Sequence, residues 1–254
     1  MPDSGRRLWP AAATAALITG LLATTAYGAV ITGTAGNDRI HGTAAPDEIS
    51  GLTGDDRVHA RRGNDIVDLG PGNDRAFGGR GDDTLGGFAG EDRLWGNQGD
   101  DTLRGDLDGV GDLVSRDRLH GGLGDDTLFG GDGHDFLSGG FGDDTSEGGA
   151  GNDIIFANQG RDTTLGGDGN DRLFALSLKD VDGPGDELGD TVRGDAGDDR
   201  IAVRDGERDV VNCGAGIDKA LLDFKDAVED GSCEVVSRRA PNRSDTRVED
   251  RQED

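Results

Sequence analysis

The sequence predicts an all-β chain: a right-handed parallel β-roll solenoid with about two nine-residue repeats per coil and a disulfide-clamped C-terminal cap. Three observations carry this expectation. An aspartate returns every nine residues from Asp38 through Asp47, Asp56, Asp65, Asp74, Asp83 and Asp92 to Asp101, then from Asp117 through Asp126, Asp135, Asp144, Asp153 and Asp162 to Asp171. Glycines precede each aspartate and an apolar residue follows two positions later, as in Gly78-Gly79-Arg80-Gly81-Asp82-Asp83-Thr84-Leu85. Only 32% of the chain is hydrophobic and 4% aromatic, while 47 of 254 residues are glycine, which excludes one large compact core.

Taken in order, residues 1–28 read as an export signal: Arg6 and Arg7, an apolar stretch from Leu8 to Leu22, and small residues at Ala26 and Gly28 suited to cleavage. Threonines and alanines dilute the stretch and no stop-transfer flank follows, so no stable membrane span is expected in the mature chain. Residues 29–202 form the roll. In each repeat the glycines supply the positive backbone angles of a turn of about six residues. A strand of about three residues follows, with Ile40, Val58, Leu85, Leu94, Leu128, Leu137 or Leu173 pointing inward. Two repeats close one coil, and coils stack about 4.8 Å apart. Insertions interrupt the count near 105–116 and 175–189. Looser repeats continue at Asp190, Asp199, Asp209, Asp218 and Asp226, and residues 203–236, with Asp205, Asp209, Asp218, Asp223 and Asp226, look more like an irregular cap than like regular turns. The only two cysteines, Cys213 and Cys233, fall there; in an oxidising compartment they pair, contributing about 3 kcal/mol. The charged tail 237–254 lacks aromatics and is expected to be disordered.

The motif at 78–85, repeated at Gly121-Gly122-Leu123-Gly124-Asp125-Asp126-Thr127-Leu128 and Gly166-Gly167-Asp168-Gly169-Asn170-Asp171-Arg172-Leu173, resembles the hemolysin-type calcium-binding nonapeptide GGxGxDxUx of the RTX family. The resemblance implies multiple calcium ions held between turns of adjacent coils by the aspartate and main-chain oxygens. It places Asp38, Asp56, Asp74, Asp92, Asp117, Asp135, Asp153 and Asp171 on one edge. Asp47, Asp65, Asp83, Asp101, Asp126, Asp144 and Asp162 fall on the other, and Asp190 and Asp199 extend the series. Stacked carboxylates at coil spacing repel by roughly 3 kcal/mol at an effective dielectric of about 20, and calcium accepts about six to eight oxygens in loose geometry. A net charge of −26 points to a chain that folds around cations, and no nucleic-acid partner is expected.

The residue after each aspartate sorts by parity. One edge carries Arg39, Arg57, Arg75, Arg93, Arg118, Arg172 and Arg200; the other carries Thr84, Thr102, Thr127, Thr145, Thr163 and Thr191. The structural repeat is therefore eighteen residues. Two positions beyond the arginines runs a second series, His41, His59, Phe77, Trp95, His120, Ser138, Phe156 and Phe174. Both series flank the inward residue and face solvent. Two readings stand side by side: like-on-like stacking, with guanidinium–ring contacts of about 0.5–1 kcal/mol each, or a ligand face at Arg57, Arg75, Arg93, Phe77 and Trp95 for a cell-wall or extracellular polysaccharide.

Both insertions contain DxDGxxD: Asp106, Asp108 and Asp112 in one, Asp180, Asp182 and Asp186 in the other. This is similar to the calcium loop of integrin-type propeller repeats, and alternating carboxylates around a glycine turn suit a hard cation. Weak rungs are expected where Ala45-Pro46 and Ala60-Arg61-Arg62 replace turn glycines, and where Ser146 and Thr164 point inward. Neither an HExxH zinc site nor a GxSxG elbow is present, so no enzyme is expected. The sequence reads as a secreted calcium-binding repeat protein that folds outside the cell. A cell-surface adhesin is the alternative, and an accessory or remnant of a calcium-dependent secreted hydrolase or toxin a further one.

Overall fold

The computed structural model describes residues 17–19, 28–106, 115–175, 189–229 and 232–240. These residues form strands and turns without a helix, arranged as two parallel sheets of twelve and eleven strands. The chain alternates between the sheets at every repeat. Successive strands of the first sheet, such as Arg39–His41, Arg57–Arg62, Arg75–Arg80 and Arg93–Gln98, are separated by one strand of the second, such as Glu48–Ser50, Ile66–Asp68 and Thr84–Gly86. This is the expected parallel β-solenoid.

The register is the eighteen-residue one. Arg39 pairs with Arg57, Arg57 with Arg75 and Arg75 with Arg93 in one sheet, and Thr84 with Thr102 in the other. It survives the insertions: Arg93 pairs with Arg118, Thr102 with Thr127, Thr163 with Thr191 and Arg172 with Arg200. Each insertion thus enlarges a turn without adding half a coil.

The core is a thin double column, one inward residue per three-residue strand and a further small one, such as Ala60 beyond Val58, in the longer strands. Ile40, Val58, Leu85, Leu94, Leu128 and Leu173 are completely buried between exposed or half-buried neighbours; Leu137 is equally buried, but Ser138 beside it and Phe156 in the next coil are buried too, against the expectation that their row faces solvent. Many strands are longer than the expected three residues, for example Arg57–Arg62 and Thr127–Gly133. The glycine backbone of the turn goes on pairing with the next coil, as Gly122 does with Gly140. Two residues before Asp144 the backbone needs a left-handed conformation: Gly142 has φ +123°, and a Cβ there would meet the Gly124 carbonyl oxygen at 2.3 Å. Ala45, at the equivalent place in an early coil, is accommodated without a positive φ. Arg61, by contrast, is held at φ +90°, the strain foreseen for its turn.

The ends differ from expectation in detail. Leu17–Thr19, inside the segment read as an export signal, pairs in parallel with Arg39–His41. At the other end Val235–Arg238 pairs with Lys219–Leu222, so a strand runs past residue 236. Cys213 and Cys233 form the disulfide, with a Cα–Cα distance of 5.1 Å.

Candidate metal centre

Every aspartate of the nine-residue series is buried, none more than 4% exposed. The strand begins just after it, so the aspartate closes the turn with its side chain folded under the glycines. One carboxylate oxygen is fixed across the coil. The Asp38 N–H donates to Asp56 Oδ1 at 2.8 Å, Asp56 to Asp74 at 2.6 Å and Asp74 to Asp92 at 2.8 Å. The other edge repeats this through Asp47, Asp65, Asp83 and Asp101. The first insertion leaves both chains of bonds intact, with Asp92 N–H to Asp117 Oδ1 and Asp101 N–H to Asp126 Oδ1 both at 2.7 Å. They continue through Asp135, Asp144, Asp153, Asp162 and Asp171 to Asp190 and Asp199. Asp209 and Asp218, expected to belong to an irregular cap, are regular rungs accepting from Asp190 and Asp199. Glu234 ends one ladder by accepting the Asp218 N–H at 2.8 Å.

The second carboxylate oxygen has no partner at Asp56, Asp65, Asp74, Asp83, Asp92, Asp101, Asp117, Asp126, Asp135, Asp144, Asp153, Asp171, Asp199, Asp209 and Asp218. A buried unpaired carboxylate oxygen is strongly unfavourable, and here the defect recurs at consecutive turns from Asp56 to Asp153. Burial first, then neighbouring carboxylates, pushes these groups up against the pull of the backbone N–H. Asp56 and Asp153 rise to about 6, Asp135 and Asp144 to about 8, and Asp117 to about 9. Asp153 has no neighbouring carboxylate among its causes and stays lowest with Asp56. Carbonyl oxygens converge on the same place: Asp153 Oδ2 and Gly166 O both lie within 2.6 Å of the point over Gly148 that a Cβ would occupy. Unpaired carboxylate oxygens beside main-chain carbonyls form a hard, all-oxygen donor set that fits calcium.

A second ladder, on the outside, was not anticipated. The residue before each ladder aspartate accepts from the corresponding N–H of the next coil: Asn37 Oδ1 from Asp55, Asp55 Oδ1 from Asn73, and Asn73 Oδ1 from Glu91, at 2.8–3.0 Å. Asn64, Asp82, Asp100, Asp125 and Asp143 form the equivalent row, and His134 Nδ1 takes the same role toward Asn152. The run of Asn and Asp at that position was legible in the sequence.

Of the DxDGxxD residues, Asp108, Asp112, Asp180, Asp182 and Asp186 lie outside the described residues. Asp106 is described; it is buried, and Ser115 donates to its Oδ2 at 2.8 Å. The arginine and ring rows both form. His41, His59, Phe77 and Trp95 stack at centroid distances of 5.3, 4.7 and 4.6 Å, and Phe156 stacks on Phe174 at 4.8 Å. The inner rings turn their faces to each other and only edges outward, as the stacking reading requires. Arg57 lies over Phe77 at 5.5 Å, and none of Arg39, Arg57, Arg75, Arg93 and Arg118 pairs with a carboxylate among the described residues.

A parallel β-solenoid with one buried, half-satisfied aspartate per glycine turn belongs to the calcium-binding class of repeat folds. The profile of the RTX calcium-binding nonapeptide repeat matches residues 32–67, 68–103, 115–146, 138–173 and 184–219, and the chain belongs to that family. No curated protein matches the chain. Among the described residues no helix is long and apolar enough to cross a membrane.

Proposed function

We propose that this is a secreted, non-catalytic module whose roll forms when calcium fills the turns outside the cell. The observation that carries the reading is the row of buried, unpartnered Oδ2 atoms that runs through consecutive rungs from Asp56 to Asp153. Without cations these oxygens oppose folding; with them, binding and folding become one process. Asp38, Asp56, Asp74, Asp92, Asp117, Asp135, Asp153, Asp171 and Asp199 serve one edge. Asp65, Asp83, Asp101, Asp126, Asp144, Asp162 and Asp190 serve the other, with main-chain carbonyls completing each shell. Extracellular calcium modules work at about 10⁻⁴–10⁻³ M, which would keep the chain expanded before export. Calcium titration followed by far-ultraviolet dichroism and hydrodynamic radius tests this: both change together and reverse with chelator. A compact, strand-rich form in chelator at neutral pH refutes it.

A second reading, attachment to an anionic cell-wall or extracellular polysaccharide, is favoured by the in-register arginines Arg39, Arg57, Arg75, Arg93 and Arg118, like charges set side by side without carboxylate partners among the described residues. The stacked faces of Phe77 and Trp95 leave recognition to the guanidiniums. Replacing Arg57, Arg75 and Arg93 with glutamine then abolishes calcium-dependent retention on cell walls; unchanged retention rules this face out.

A further inference from the structure

The turn entering the Asp209 rung departs from the repeat. Where the regular turn before Asp126 has Gly121 and Gly122, this one has Arg204 and Asp205, and both are buried. Asp205 is 2% exposed, whereas Asp195, four residues before Asp199 and so at the equivalent place, is exposed. Asp205 is held inward by its own turn, its Oδ1 accepting the Glu207 N–H at 3.0 Å. The Lys225 ammonium reaches across to donate to the Gly206 carbonyl.

The result is a donor set unlike that of the regular turns. Oxygens of Asp190, Asp205 and Asp209, all buried, lie within 4.8 Å of one another. Asp209 is fully buried; its Oδ1 accepts the Asp190 N–H at 2.8 Å and its Oδ2 has no partner. Arg204 brings one positive charge to a turn that also contains the buried Glu207. Among the described residues, three carboxylates converge here.

We propose that Asp190, Asp205 and Asp209 form a tri-carboxylate calcium site at the C-terminal end of the roll, with Asp205 a ligand supplied by the turn and not by the ladder. Asp190 and Asp209 are also ladder rungs, and the site adds a third carboxylate to them. Its higher carboxylate count makes it tighter than sites built from one aspartate and carbonyls, and it sits beside the rungs that the disulfide closes.

Asp205→Asn tests this, because asparagine keeps an oxygen for the Glu207 N–H while removing the charge. Calcium bound per chain, counted by native mass spectrometry, falls by one in Asp205→Asn and stays at the wild-type value in Asp195→Asn. In saturating calcium the urea midpoint of Asp205→Asn drops, whereas without a bound ion the loss of like charge raises it. An unchanged count, or a raised midpoint in calcium, overturns the proposal. Were the regular turns empty, the wild type would bind one ion and Asp205→Asn none, so this site and the ladder fail separately. Should Asp205→Asn not fold, a crystal structure of the wild type grown with calcium decides: density for an ion between the three carboxylates supports the site and its lack refutes it.

Discussion

Asp144→Asn separates the two roles of a ladder carboxylate. The amide oxygen of the variant can still accept the Asp126 N–H, now 2.7 Å from Asp144 Oδ1, and the backbone N–H of residue 144 still reaches Asp162 Oδ1 at 2.7 Å. Only the charge and the unpartnered Oδ2 are lost. Burial and the neighbouring carboxylates push Asp144 up to about 8 from 3.8. At pH 7 and without calcium, folding therefore requires taking up a proton that the unfolded chain does not hold, a penalty of about 4 kcal/mol. Asparagine removes it. With calcium the sign reverses once the lost ion outweighs that penalty: a bound ion contributes about 4.1 kcal/mol at calcium about a thousandfold above its dissociation constant, and more beyond.

The assay is urea unfolding of both proteins in calcium more than about a thousandfold above its dissociation constant and in chelator, with an excluded osmolyte to bring the apo form into range. The expected outcome is a crossing, with the variant less stable in calcium and more stable in chelator. Equal destabilisation in both media would show that Oδ2 matters for packing alone. Stabilisation in both would show that no cation binds there, and either result would falsify the coordination argument.

Gly142→Ala is expected to lose about 2–4 kcal/mol, because φ +123° and the Gly124 carbonyl at 2.3 Å leave no place for a Cβ, whereas Gly36→Ala, with nothing nearer than 3.9 Å, is neutral within error; urea midpoints in calcium decide. Thr164→Val should raise stability by about 1–2 kcal/mol, since the Thr164 hydroxyl is buried without a partner and valine keeps its shape; a loss would mean that the hydroxyl serves an ion or water. In calcium-free buffer, acid should compact the chain. Folded carboxyls at about 6 (Asp56) to about 9 (Asp117), against about 3.9 unfolded, hold more protons than the unfolded chain. Stability thus rises as pH falls through that window, with nothing further gained below about pH 4. A hydrodynamic radius flat from pH 9 to pH 5 would contradict these shifts.

Period and parity made the solenoid legible, because a parallel stack places identical positions on top of one another and each column then selects one chemistry. The arginine column, the ring column and the inward leucines are all of this kind, and so is the register across both insertions. What stayed hidden depends on direction, not spacing. The spacing could not say that one oxygen of Asp56 is taken by the Asp38 N–H while the other is left bare, since that follows from how the side chain folds under its turn. Asp209, counted as a looser copy but assigned with Asp205 to the cap, was misplaced for a related reason. Their spacing departs from nine, yet Asp209 falls on the ladder because the register is set by pairing with the preceding coil, as Val210 does with Thr191.

The direction of the inner hydrogen bonds also bears on how the turns fill. Each aspartate takes its oxygen's orientation from the backbone N–H of the coil before it and passes its own N–H to the coil after, so no rung is positioned alone. An ion at Asp117 would fix the Asp117 backbone, which orients Asp135, which in turn orients Asp153. Nearest-neighbour coupling of this sort makes binding cooperative along an edge, as in other solenoids. The coupling crosses the first insertion undiminished, since the Asp92–Asp117 bond at 2.7 Å is as short as its neighbours. Each edge should therefore load as one continuous unit, with the insertion a passenger on the turn and not a boundary between two domains.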